Sequence, residues 1–161
     1  MAEVSSDLFA ANITNLLNDL GLAYFHESNY PEAATYSQKA LAIRKQIHPN
    51  QPHPDIAYTL HNLGCIYHKK SEYTLAISYY EQALTMLKKI HPNQPHTDIA
   101  NILHNLGVTY HKQGKYTLAS SYYEEALAIY PAVYPEQPNH PIIQRAQQGL
   151  AQVKEKATAN K

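Results

Sequence analysis

Three side chains in one short stretch have the types and spacing to do chemistry together. His61, Cys65 and His68 fall at i, i+4 and i+7, so a helix there presents all three on one face. Imidazole nitrogen and thiolate are zinc ligands, and His104 could reach in from a neighbouring helix to complete a tetrahedral shell. The same thiol beside an imidazole is also the start of a nucleophile and base pair. Both readings meet one obstacle: His61 and His68 return as His104 and His111, but Val108 stands where the thiol should recur. A repeated histidine without the thiol reads more simply as a polar contact, and one regular helix offers no oxyanion pocket. The sequence has no Gly-rich phosphate loop, no HExxH and no GxSxG elbow. The expectation is therefore no enzyme, no cofactor and no metal, with His61, Cys65 and His68 as the candidate set if a metal binds. A second chemistry lies in Asn62 and Asn105. Each amide offers an acceptor and a donor, and so can grip the backbone of an extended peptide without reading its sequence. The alternative is that these asparagines bond only between neighbouring repeats.

Composition narrows the partners. Thirteen Lys and Arg balance thirteen Asp and Glu, which argues against a dedicated nucleic-acid binder or a polybasic membrane anchor. One cysteine leaves no intramolecular disulfide framework and no Cys-rich zinc module. No stretch is apolar for long enough to span a bilayer, and Met1 to Leu17 lacks the charged and apolar regions of a signal peptide. A cytoplasmic protein with a protein or peptide partner, no nucleic acid, no membrane and a possible homo-oligomeric state is expected.

What must position these residues is a repeat. Leu63-Gly64 returns as Leu106-Gly107, an offset of 43 that also carries Tyr79-Tyr80-Glu81 to Tyr122-Tyr123-Glu124. A more diverged copy precedes them, with Leu20-Gly21, Tyr24, Ala33 and Ala40-Leu41. The connectors obey the same period: Ile47-His48-Pro49-Asn50-Gln51-Pro52-His53 becomes Ile90-His91-Pro92-Asn93-Gln94-Pro95-His96 and then Val133-Tyr134-Pro135-Glu136-Gln137-Pro138-Asn139. A period of this length signals a solenoid. Each copy reads as two helices. Ile56, Leu60, Leu63, Ile66 and Tyr67 form one apolar stripe, and Tyr73, Ala76, Tyr80, Ala83, Leu84 and Leu87 form the next. Pro54 suits a first helical turn, and the connector prolines stop helices from running on. Ile142, Ile143, Ala146, Leu150 and Val153 make a last stripe whose polar outer face suits a terminal cap.

Within each pair stands Leu-x-x-Leu-Gly-x-x-Tyr, at Leu17/Leu20/Gly21/Tyr24, Leu60/Leu63/Gly64/Tyr67 and Leu103/Leu106/Gly107/Tyr110. Ala76/Tyr80 and Ala119/Tyr123 follow as Ala-x-x-x-Tyr, with Ser37 after Ala33. This resembles the tetratricopeptide repeat, with leucine in its usual tryptophan slot. The long period and the His-Pro-Asp, Asn-Leu and Tyr-x-x-Ala landmarks are similar to the kinesin light chain subclass, over about residues 8 to 138. The resemblance implies an all-α fold: a right-handed superhelical solenoid of antiparallel helix pairs with a C-terminal capping helix. Expected boundaries are a disordered 1–6, repeats at about 7–52, 53–95 and 96–138, a cap at 139–157 and a disordered 158–161.

The resemblance also implies a site. First helices line the concave groove, which places Asn18, Leu22, Phe25 and His26 there from copy one. Copy two contributes Tyr58, His61, Asn62, Cys65, His68 and Lys69, and copy three Asn101, His104, Asn105, Val108, His111 and Lys112. Peptide-binding tetratricopeptide proteins use asparagine at the slot of Asn62 and Asn105, whereas copy one has Asp19. Lys69, Lys112 and the histidines make one part mildly basic, and Leu22 and Phe25 make another apolar. The expected function is a non-enzymatic scaffold for an extended peptide with acidic and apolar character. The alternative is a self-associating assembly module using an open N-terminal edge or convex tyrosines. Histidines in groove and connectors imply binding that depends on pH between about 5 and 8.

Overall fold

The structure, a computed structural model, describes residues 2–159, with side chains from 8 onward. The described residues form seven helices and no strand. They are α1 (Ala2–His26), α2 (Tyr30–Ile47), α3 (Pro54–Lys69), α4 (Tyr73–Ile90), α5 (Thr97–Lys112), α6 (Tyr116–Val133) and α7 (Pro141–Ala159). The first helix starts ahead of the expected boundary at residue 7, because nothing between Ala2 and Leu20 is a proline or glycine that would break it. The last runs through Thr158 and Ala159, part of the segment expected to be disordered, while Met1, Asn160 and Lys161 lie outside the described residues.

The period of 43 is realised as one turn geometry used three times. Ser28, Ser71 and Gly114 take φ of 61°, 61° and 73° between the helices of each pair. The next residue's N–H then reaches back five positions, from Asn29 to Tyr24, Glu72 to Tyr67 and Lys115 to Tyr110, at 2.8–3.0 Å. This is the left-handed cap that satisfies carbonyls at a helix end. Only Gly114 adopts it without a Cβ penalty. The tyrosine that accepts each bond also stacks across its pair. Tyr24 lies on Tyr36, Tyr67 on Tyr79 and Tyr110 on Tyr122, with ring centres 5.3–5.4 Å apart.

Small residues let the paired helices approach closely. Ala33, Ala76 and Ala119 are fully buried. A Cβ on Gly64 would stand 2.5 Å from the Tyr80 ring, and one on Gly107 2.9 Å from the Tyr123 ring. At the diverged first copy the corresponding contact of Gly21 is with Ser37.

The chain divides into two compact units, 1–86 and 87–161, with the boundary inside α4. In the first, α2 packs on α1 and α3, and α1 touches α3. In the second, α6 packs on α5 and α7, and α7 also reaches α5. The last helix buries Ile143, Ala146 and Val153 and leaves its remaining faces largely polar.

Candidate functional site

Helical periodicity puts Tyr58, Cys65 and Lys69 in one line on α3, at i, i+7 and i+11, with His61 beside it. Tyr58 is 48% exposed and Lys69 exposed, while His61 and Cys65 between them are half-buried. The middle of the line is a polar cluster. His61 Nε2 lies 3.6 Å from Cys65 Sγ, and the Tyr80 hydroxyl donates to the same sulfur at 3.4 Å. Burial pushes the thiol up, but His61, the Tyr80 hydroxyl and Lys69 together hold it below the ordinary cysteine value. Burial and the adjacent sulfur push the Tyr80 phenol up. His68 turns elsewhere, its ring 5.5 Å from that of Tyr73 at the start of α4. Among the described residues no group of three or more His, Cys, Asp and Glu side chains could hold a metal ion.

Asn62 and Asn18 meet each other. Asn62 Nδ2 donates to Asn18 Oδ1 at 3.3 Å, and the two are 8% and 4% exposed, so their amides link α3 to α1. Leu22 is half-buried. Phe25, also half-buried, tilts against Tyr30 at 5.7 Å, covering the turn into α2.

In the second unit the equivalent line on α5 is Asn101, His104, Val108 and Lys112. Asn101 is half-buried and Lys112 exposed, but His104 is only 7% exposed. Its ring meets Tyr123 edge-on at 5.6 Å, and its Nδ1 has no hydrogen-bond partner. Burial, with Arg145 nearby, pulls its pKa down to about 4. Asn105 is half-buried, and its backbone carbonyl accepts from Thr109 Oγ1 at 2.7 Å. His111 faces the Tyr116 ring and lies 3.3 Å from Lys156 Nζ. Burial, Lys156 and Lys112 lower its pKa.

Two arrangements escape the sequence-based expectation. Arg44 is 5% exposed, and its guanidinium donates to the Asp55 carbonyl at 3.0 Å, to Thr59 Oγ1 and to Asn15 Oδ1 at 2.9 Å. It thereby ties α1, α2 and α3 together, while its Nε has no partner. The signal was available as a break in the repeat, since Leu87 and Tyr130 occupy the same register. The second is Gly149, whose Cβ would stand 2.6 Å from Tyr123 Cζ, so the cap leaves room for the far end of that ring. Gly149 lies outside the repeats and nothing in the period marks it.

Helix pairs joined by left-handed turns, with a ring of one helix seated over a glycine of its partner, define a repeat scaffold. The tetratricopeptide repeat model matches residues 12–89 and 94–132, and the chain belongs to that family. No curated protein sequence matches it. Among solved structures it is similar to BtubC (BKLC) from P. vanneervenii, with a TM-score of 0.79 and 22% identity over 92% of this chain and 58% of that one. A Podosopora anserina protein of nearly identical TPR-like repeats, described as a kinesin light chain, gives 0.75 and 19% over 89% of this chain and 66% of that one. The Rap conjugation gene regulator of plasmid pLS20, in complex with the Phr* peptide, gives 0.75 and 18% over 98% of this chain and 40% of that one. The fold is thus of the kinesin light chain-like type, and the chain spans 58% and 66% of the length of the first two neighbours.

Proposed function

We propose that this chain is a non-enzymatic, cytoplasmic scaffold that binds an extended peptide on the exposed line of α3. The observation that carries this is the α3 line, where a half-exposed aromatic, Tyr58, and an exposed cation, Lys69, flank a half-buried polar middle. An aromatic anchor and a cation about three turns apart on one helix line suit an extended ligand with an apolar residue at one end and an acidic one at the other, because the ring supplies contact area and the ammonium supplies charge. The Rap neighbour of similar fold is in complex with a peptide, which supports a peptide as the class of ligand. Asn62 acts here through its bond to Asn18, presenting the α3 line at a fixed setting to α1. Titration of an acidic, aromatic-containing peptide library tests the reading. Tyr58→Ala and Lys69→Ala each weaken the best binder by about tenfold, equivalent to about 1.4 kcal/mol. Equal affinity for both variants and wild type, or for peptides with every acid replaced by serine, defeats it.

A second reading, self-association, is favoured by one face of α1. Phe9, Leu16 and Leu20, at i, i+7 and i+11, are 69%, 62% and 37% exposed. The residues of α3 at the registers of Leu16 and Leu20 are Thr59 and Leu63, both fully buried in a unit where α2 packs on α3. Light scattering across concentration decides it. A dimer that Leu16→Lys dissolves supports the reading, and a monomer at every concentration removes it.

A further inference from the structure

The connector between α2 and α3 is built from two stacked imidazoles. The rings of His48 and His53 lie 3.8 Å apart and 10° from parallel. His53 is also the N-cap of α3: its Nδ1 accepts the Asp55 N–H at 3.2 Å, satisfying a donor that the helix cannot. Only a neutral imidazole nitrogen can accept that bond. The charged and titratable groups around the pair are few. Arg44 projects from α2 and is fixed by its bonds to Asp55 O, Thr59 and Asn15. Asp55 and Tyr58 belong to α3, and Asp19 approaches Arg44 from α1. The Asp55 carboxylate stands 3.9 Å from the same His53 Nδ1.

We infer that the His48–His53 stack is an acid-sensitive latch at the start of α3, closed while His53 is neutral and released when it is protonated. A proton on Nδ1 converts the acceptor of the Asp55 amide into a donor, so the cap is lost. The ring's one compensating partner is the Asp55 carboxylate, and it is opposed by Arg44 and by any proton on His48. Burial, then His48 and Arg44, hold His53 below the ordinary imidazole value, with Asp55 pulling the other way. The folded state therefore binds fewer protons than the unfolded chain. Closure is complete above about pH 6.5 and is lost as pH falls through the lowered folded value.

The second connector serves as a control within the molecule. His91 and His96 stack at 4.1 Å, and His96 caps α5 through Asp98 N at 3.2 Å, but Leu87 stands at the register of Arg44. In the third, Tyr134 replaces the first histidine and stacks on His140 at 4.1 Å. Tyr58 lies in the first turns of α3, so acid would also loosen the proposed peptide face. That consequence rests on the peptide-binding reading, whereas the latch itself does not.

The experiment follows His53 by its imidazole NMR signals and the cap by protection of the Asp55 amide, in the full chain from pH 7.5 to 4.5. In wild type, protection falls by up to about tenfold per pH unit from about pH 6.5 down to the His53 midpoint, as one proton taken up per opening requires. His48→Tyr, which copies the third connector, moves the midpoint upward toward the ordinary imidazole value. His53→Asn, a cap that does not titrate, makes the Asp55 profile flat, and His91→Tyr leaves wild-type behaviour in place. The latch is overturned by a His53 midpoint identical in wild type and His48→Tyr. It is equally overturned by Asp55 protection that falls alike in wild type and His53→Asn.

Discussion

The two units carry the same three-residue arrangement at the same register, and one substitution separates them. In the first, His61, Cys65 and Tyr80 satisfy one another: the thiol receives the Tyr80 hydroxyl and neighbours the imidazole, over Gly64. In the second, His104, Val108 and Tyr123 keep the rings but not the sulfur. His104 then has a buried nitrogen with no partner, and the far end of Tyr123 lies over Gly149 of the cap. A thiol that looks in sequence like a ligand or nucleophile thus lies at a junction where a tyrosine of one helix meets the histidine of another. In the next copy the thiol is absent and His104 carries a buried Nδ1 without a partner, whereas the atom beside the thiol in the first copy is the Nε2 of His61. The turns differ as well: Ser71 takes a left-handed φ that Gly114 takes without strain.

The largest test of this comparison is truncation of the rings. Tyr80→Ala and Tyr123→Ala should each destabilise their own unit by about 3–5 kcal/mol, the range for emptying a buried aromatic site. Tyr123→Ala should also release α7, read as loss of amide protection in Ile143–Val153, with no such loss after Tyr80→Ala. Next is His104→Leu, which removes the unmatched nitrogen at similar volume and should stabilise the second unit by about 1–3 kcal/mol in denaturant unfolding. The same variant should remove an acid sensitivity. Neutral His104 binds no proton in the folded unit near neutrality, while the unfolded chain takes one up below about pH 6.5. Stability is therefore full above that pH and drains as pH falls toward about 4 in wild type but not in His104→Leu. Smaller still is the hydroxyl alone. Tyr80→Phe should cost about 1 kcal/mol for the bond to Cys65, and Tyr123→Phe almost nothing. Equal costs would mean that the two tyrosines are interchangeable and the comparison is empty. Ser71→Gly should give about 1 kcal/mol or less, by relieving the left-handed turn.

Much of this was legible in the chain. Recurring Leu, Gly, Ala and Tyr positions gave the helix pairs, because helical packing leaves a periodic trace wherever a residue must be small or apolar. Pro54 and Thr97 open their helices where the proline-rich connectors place them. Of the candidate site, Tyr58, Lys69 and Lys112 are exposed as a binding face requires, while Asn18, Asn62 and His104 are buried. Helical phase tells which residues share a face but not how deeply the next helix covers it. The Asn62–Asn18 bond and the Arg44 network join residues of different helices, and such pairings leave no short-range spacing to read.

The sequence by itself determined that this protein is a run of helix pairs with a terminal helix, since apolar stripes and turn residues return every 43 residues, and its Leu-x-x-Leu-Gly-x-x-Tyr positions resemble the tetratricopeptide repeat. Tertiary structure decided which polar side chains face one another. It joined Asn62 to Asn18, Arg44 to Asn15 and Thr59, and Cys65 to Tyr80, and it left His104 unmatched. The reason is one of range: helix formation and capping are local and repeat with the chain. Partnership of a buried polar atom depends on a few ångströms between elements, which one changed residue in a repeat is enough to alter.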